Sequence, residues 1–163
     1  MVGSGPIGRA IARTLKALGI TTALVGRTAR PGVHGPGELD RLLARADWVV
    51  AAAPLTDDTR GMFDARRFGV MQPSARFVNV GRGPLARRWI AGAALDVLVH
   101  EPLAPDSPLW DVPDLIVSPH MSGDTVGWRD ELGAQFVELF ESWAAGEPLA
   151  NVVDKKRGYV PGH

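Results

Sequence analysis

Cysteine is absent from the 163-residue chain. That excludes a disulfide framework and thiolate metal sites, and it suits a reducing compartment. An excess of either charge is also missing. Lys+Arg and Asp+Glu each number 18, for a formal net charge of +0, so the electrostatics give no reason to expect a nucleic-acid or other polyanionic partner. No long hydrophobic run is present. The longest, 48–55, falls far short of the roughly 20 residues needed to span a bilayer. No charged-then-apolar leader precedes the first motif, so the expectation is a cytoplasmic protein that neither enters a membrane nor is exported. Internal repeats and low-complexity tracts are lacking too.

What is present suits an ordinary soluble domain. Hydrophobic residues make up 45% and charged residues 22% of the chain, and the length allows one domain with a sizeable core. We expect that domain over 1–150, with a polar tail at 151–163 that wraps the surface or frays.

The most informative stretch is Gly3-Ser4-Gly5-Pro6-Ile7-Gly8, which has the G-x-G-x-x-G spacing of a dinucleotide-binding turn. The first glycine permits a tight turn, and the second lets the backbone approach a pyrophosphate. The third lets the following helix pack onto its strand, and the helix start offers free N–H groups to the phosphates. Ile7, Ile11, Leu15 and Leu18 recur at helical spacing and predict a helix over 7–18 that stops at Gly19. Strands are expected at 21–25, 48–53, 75–80, 93–97 and 115–118, and helices at 38–46, 59–71 and 125–145. Leu132, Phe136, Leu139, Phe140 and Trp143 form the stripe of the last helix, read as core packing. Strands alternating with helices predict an α/β fold with a doubly wound parallel sheet, incomplete because only Met1 and Val2 stand for the first strand.

Ligands of such sheets bind beyond the carboxyl ends of the strands, and each expected strand is followed by polar residues there. Pro54 and Thr59 follow the strand at 48. Asn79-Val80-Gly81-Arg82-Gly83 follows the strand at 75. Asp96 and Glu101-Pro102 follow the strand at 93, and Ser118-Pro119-His120-Met121-Ser122-Gly123 follows the last.

With the glycine turn and Ala93-Ala94-Leu95-Asp96-Val97, this ordered set resembles the nucleotide-binding domain of the D-isomer-specific 2-hydroxyacid dehydrogenases. The resemblance reaches to about Tyr159. It implies a Rossmann-like NAD(P)-binding domain and hydride transfer between a nicotinamide and a small 2-keto or 2-hydroxy acid of the glyoxylate or hydroxypyruvate kind. It assigns catalytic roles to Arg82, Glu101 and His120. His120 exchanges a proton with the substrate oxygen. Glu101 holds the imidazole and favours its charged form, and Arg82 forks onto the substrate carboxylate or carbonyl. Gly3, Gly5, Pro6, Ile7 and Gly8 form the pyrophosphate turn, and Asp96 fixes the nicotinamide end. Pro54, Thr59, Val80, Gly81, Arg82, His120 and Gly123 line the rest of the cofactor cleft. No metal site is implied, and the family commonly dimerises through this domain. Each assignment has a plainer rival: a solvated turn at Arg82, a loop cap at His120, a surface acid at Glu101 and a turn cap at Asp96. His34, His100 and His163 fall outside the pattern and are expected to face solvent.

Cofactor choice follows from the second strand's end. NAD enzymes usually place an acid there to bind the ribose hydroxyls. Here the position is Gly26, followed by Arg27, Thr28 and Arg30, so NADP is expected over NAD. The alternative is a basic turn that tolerates either cofactor.

The sequence departs from the family in three places. The substrate domain that precedes the nucleotide domain in the family is not in this sequence, which leaves substrate groups facing water. The shortened first strand should expose its neighbours' edges, at a cost on the order of several kcal/mol against a total near 5–15. The link 84–90 is too short for a helical crossover, so either the local topology changes or a crossover helix is missing, with Trp89 and Ile90 patching the core. A non-catalytic dinucleotide-binding module or truncated fragment is therefore the alternative to an active enzyme.

Overall fold

A parallel sheet organises the computed structural model, which describes residues 1–81, 90–156, 158 and 160. Strands β1 (Trp48–Ala51), β2 (Arg76–Asn79), β3 (Gly92–Leu95) and β4 (Leu115–Val117) lie side by side in that order. Beyond β1 the order continues through single positions. Val2 bridges Ala51 on one side and Val25 on the other, and Val25 bridges His34, all in parallel. Across the sheet the sequence is therefore His34, Val25, Val2, β1, β2, β3, β4. The strand order reverses between Val2 and β1, which is the switch point of a doubly wound sheet. The helices are α1 (Pro6–Ala17), α2 (Leu39–Leu43), α3 (Ala65–Val70) and α4 (Trp128–Ala144).

The first strand is short, yet it pairs on both sides. Val2 N donates to Val50 O at 2.8 Å and Ala52 N donates to Val2 O at 2.8 Å. On the other side Val25 N donates to Met1 O and Gly3 N to Val25 O, both at 2.9 Å. The neighbours' edges are thus satisfied where Met1 to Gly3 reach, contrary to the expectation of exposed edges. The strand expected at 21–25 shrinks to Val25 alone, because its partner on that side offers only those residues.

The core gathers under β1 and β2. Leu39, Leu43, Val49, Phe68, Met71 and Phe77 are buried together, and Phe68 and Phe77 meet edge to face with ring centroids 5.1 Å apart. Continuous apolar strands suit a sheet covered on both faces. The helix expected over 59–71 forms only at Ala65–Val70. Gly61 adopts φ +66°, which ends regular helix there, and Asp64 restarts it as an N-cap by accepting from Arg67 N at 2.9 Å. In α1 the buried residues are Gly8 and Ala12, whereas Ile7 is 61% exposed and Leu18, the C-cap, 71%. The helix packs through its small residues because Gly8 brings it close to the backbone.

β2 and β3 pair in parallel from Arg76↔Gly92 to Asn79↔Leu95, so the parallel topology holds despite the short link. Ile90 packs against the core as expected; Trp89 and Arg82 lie outside the described residues. His34 is a correction. It is half-buried at a sheet position, and its Nδ1 lies 2.8 Å from Glu38 Oε2.

Two compact units divide the chain, one of Met1–His120 and one from Met121 onward. Among its described residues the second unit holds α4 as its one helix, with turns around it. The stripe expected as core packing is a correction: Phe136 and Phe140 centroids lie 6.4 Å apart and Phe140 and Trp143 5.8 Å apart, so the rings meet one another along the helix while Phe136, Phe140 and Trp143 stay 67%, 53% and 64% exposed. No residue of α4 is buried. Among the described residues no helix is long and apolar enough to cross a membrane.

Candidate active site

The glycine turn sits at the switch point, and each glycine has its own steric reason. Gly3 has φ +113°, and a Cβ there would lie 2.7 Å from the Ala52 carbonyl, where the turn crosses the end of β1. A Cβ on Gly8 would collide with the Gly3 carbonyl oxygen. A Cβ on Gly5 would meet nothing within 4 Å, so that face is open to a ligand. Gly5 is also the N-cap of α1, with no side-chain cap and with Pro6 in the first turn. The first N–H groups of a helix have no intrahelical acceptor, so Ile7 and Gly8 offer theirs at the positive end of the helix dipole. An open, donor-rich cradle of this kind fits the pyrophosphate of a dinucleotide.

The other strand ends add to the same carboxyl edge. Pro54 follows β1, and its carbonyl accepts from Thr59 Oγ1 at 2.6 Å; Thr56 N donates to Thr59 Oγ1 at 2.8 Å. Thr59 thus closes the turn through its hydroxyl. Beyond β2, Val80 N donates to Ala51 O at 3.0 Å, and Gly81 N donates to Asn79 Oδ1 at 3.0 Å. A Cβ on Gly81 would lie 2.7 Å from Ala53 O, so these two loops meet backbone to backbone. Beyond β3, Asp96 is 7% exposed and its N–H donates to Asn79 O at 3.0 Å. Ser118, at the end of β4, donates its hydroxyl to Asp96 Oδ1 at 2.6 Å.

Glu101 and His120 converge although 19 residues apart: His120 Nδ1 lies 2.8 Å from Glu101 Oε2. The other carboxylate oxygen, Oε1, accepts from Leu98 N at 2.7 Å, which fixes the acid's orientation. His120 holds φ +57°, a left-handed conformation uncommon for a residue with a side chain. The imidazole is half exposed, its partner somewhat less. The pair can therefore hold a proton at a ring whose orientation is set from behind by a carboxylate.

Arg27 follows Val25, and its Nη2 lies 2.6 Å from Asp58 Oδ2. Thr28 beside it is exposed. At Gly26 a Cβ would come within 2.5 Å of Ser4 Oγ and 2.8 Å of Val33 Cγ1. Arg30 Nη2 donates to that Ser4 hydroxyl at 3.2 Å.

Of the residues expected at the site, the structure brings Gly3, Gly5, Pro6, Ile7, Gly8, Pro54, Thr59, Val80, Gly81, Asp96, Glu101 and His120 to one sheet edge. Gly123 belongs to the second unit. Ser118 and Asp58 were not expected to contact site residues. Ser118 stood in a quoted motif without a role, and Asp58 has no periodic or motif signal to single it out.

Known proteins resemble the chain along its length. The family model described as D-isomer specific 2-hydroxyacid dehydrogenase, NAD binding domain, matches residues 1–122. A glyoxylate reductase of Thermococcus onnurineus is 32% identical over 171 residues, covering 96% of this chain and 51% of the relative. An NADPH-dependent glyoxylate/hydroxypyruvate reductase of Sinorhizobium meliloti, solved with NADP and sulfate, superposes with a TM-score of 0.85 at 33% identity, covering 97% of this chain and 55% of that one. A D-isomer specific 2-hydroxyacid dehydrogenase of Xanthobacter autotrophicus, solved with NADPH and MES, gives a TM-score of 0.83 at 36% identity, covering 97% and 54%. The chain thus spans 51–61% of the length of the first curated relatives it matches. The match over 1–122, the doubly wound sheet and the glycine turn at its switch point lead to one conclusion: this chain belongs to the D-isomer specific 2-hydroxyacid dehydrogenase family, through that family's NAD-binding domain.

Proposed function

We propose that the chain is the cofactor-binding and proton-transferring part of an NADP(H)-preferring oxidoreductase that interconverts a small 2-keto acid and its 2-hydroxy acid, with glyoxylate and hydroxypyruvate as the expected class. The observation that carries this reading is the 2.8 Å contact of His120 Nδ1 with Glu101 Oε2, on the same sheet edge as the open glycine cradle. Names of the relatives support the substrate class.

A reduced nicotinamide, when bound, supplies the hydride for the keto carbon. The chain's own residues do the rest. Glu101 holds Nδ1, so Nε2 is the ring nitrogen left to face substrate. The protonated ring gives its Nε2 proton to the ketone oxygen during reduction, and in the reverse direction the neutral ring takes the hydroxyl proton. Asp96, held by Ser118, is the acceptor for the nicotinamide end. Arg82, by its place in the motif, takes the substrate carboxylate. Gly3 to Gly8 take the pyrophosphate. Gly26 carries no acid and is crowded by the Ser4 and Val33 side chains, and Arg27 and Arg30 follow it, which supports NADP over NAD. The exposed ring stripe of α4 supports a homodimer, and light scattering that finds only monomers would remove that part of the reading.

The test is to titrate the purified chain with NADPH and NADH, then to follow NADPH oxidation with a panel of 2-keto acids. Tight NADPH binding with turnover lost in His120→Ala upholds the proposal. Binding without turnover leaves a dinucleotide-binding module, and tighter NADH binding overturns the cofactor preference.

A further inference from the structure

Residues at the adenosine end of the cleft carry one inference beyond this reading and rest on it. Where NAD enzymes place an acid, this chain has Gly26, and two side chains crowd that position. A Cβ would lie 2.5 Å from Ser4 Oγ and 2.8 Å from Val33 Cγ1, and Arg30 holds that Ser4 hydroxyl. A carboxylate-bearing side chain at this position would have to push aside the Ser4 and Val33 side chains. One reaches the neighbouring cation from elsewhere. Asp58, in the loop after β1, puts Oδ2 2.6 Å from Arg27 Nη2.

The two residues come from opposite sides of the switch point. Arg27 follows Val25 and Asp58 follows β1, and Val2 bridges both of those positions. The pair therefore joins the loops on either side of the glycine turn. Its side chains are 59% and 63% exposed, so a ligand arriving from solvent can reach either one.

We infer that Asp58 is a specificity-determining residue for the cofactor: it competes with the ribose 2′-phosphate for Arg27 and so limits the preference for NADPH over NADH. A phosphate monoester carries about −1.5 to −2 charges at neutral pH. It must displace the Asp58 carboxylate from the guanidinium or lie beside it against like-charge repulsion. A ribose bearing only hydroxyls carries no charge there and meets no such conflict. Asp58 thus weakens the binding of one cofactor and leaves the other nearly unchanged.

The experiment titrates the whole chain and its variants with NADPH, NADH, 2′,5′-ADP and 5′-AMP by calorimetry, with no turnover required. Asp58→Asn should tighten NADPH and 2′,5′-ADP by roughly three- to tenfold, in keeping with an exposed ion pair, and shift NADH and 5′-AMP by less than about twofold. The gain should vanish when Arg27→Gln is added, since the two changes act through one contact. It should also shrink as salt screens the charges. Asp58→Ser serves as a second variant, and thermal melting verifies that each protein folds. Wild-type NADPH binding that both variants leave unchanged, or equal tightening of both cofactors, overturns the inference and spares the cofactor reading. A wild-type chain that binds neither cofactor overturns both.

Discussion

His120 and Glu101 face each other at 2.8 Å, Nδ1 to Oε2, and the acid's second oxygen is anchored to the Leu98 amide at 2.7 Å. The contact joins the loop after β3 to the loop after β4, so the imidazole is oriented by a residue with its own fixed backbone support. If His120 moves the proton, His120→Ala lowers kcat for glyoxylate reduction by roughly 10²–10⁴-fold, the usual range for a lost general acid, while NADPH binding changes little. Glu101→Gln keeps the size but loses the charge, and its loss of kcat should be smaller than that of His120→Ala. Steady-state kinetics and cofactor titration on both variants check this. A larger effect on binding than on kcat would instead assign the pair to holding the cofactor.

The glycine turn gives a prediction in two halves. Gly8→Ala drives a methyl group into the Gly3 carbonyl, whereas Gly5→Ala places one in open space. Gly8→Ala should destabilise by ~1–3 kcal/mol, as overpacking does, and weaken NADPH binding as well. Gly5→Ala should leave the melting temperature within about 2 °C, near the shift produced by ~1 kcal/mol at this length, yet weaken NADPH binding where the pyrophosphate approaches. Thermal denaturation with and without NADPH separates the two. Equal melting temperatures with unchanged NADPH affinity in both would refute the steric reading.

Asp40 links α2 to α3 through Arg66 Nη1 at 2.6 Å and Arg67 Nε at 2.9 Å. The hydrogen bond from Arg66 first, then that from Arg67, holds the Asp40 carboxyl below its ordinary value. A depressed carboxyl stabilises the fold above its unfolded pKa, near 3.9, and the contribution is lost as pH falls through the lower folded value. Wild type should therefore melt above Asp40→Asn by about 1–3 °C at neutral pH, a small difference because exposed pairs are weak. The difference should stay constant down to roughly pH 5 and close below about pH 3, as protonation makes the two proteins alike. Melting curves across that range check it. A difference that grows toward acid contradicts the assignment.

How much of this was legible in the sequence varies with the kind of interaction. The glycine turn followed from its spacing and the strands of the sheet from their apolar runs, while the Glu101–His120 contact followed only from the resemblance of the ordered set to a known family. The burial of α1 did not. Its Ile and Leu periodicity marked a helix correctly, but Gly8 and Ala12 make the buried contact, a matter of close approach that hydrophobic spacing cannot express. The helix at 59–71 was overlong because Gly61's positive φ and the Asp64 cap act locally against the apolar pattern. Arg27–Asp58 and Asp96–Ser118 join residues 31 and 22 positions apart. These are tertiary polar contacts, which leave no periodic trace in a single sequence.

Ser118 supplies the last prediction. Its hydroxyl donates to Asp96 Oδ1 at 2.6 Å, and Asp96 is only 7% exposed. Removing the donor leaves a buried carboxylate with one hydrogen bond fewer, which costs about 1–3 kcal/mol. Ser118→Ala should therefore melt lower than wild type, and Ser118→Thr, which keeps the hydroxyl, should recover most of the difference. If Asp96 also meets the nicotinamide end, Ser118→Ala weakens NADPH while leaving 2′,5′-ADP, which has no nicotinamide, unaffected. Calorimetric titration with the two ligands separates these effects. Equal weakening of both ligands would mean that Ser118 supports the sheet edge in general, and unchanged binding with a lower melting temperature would confine the Asp96–Ser118 contact to stability.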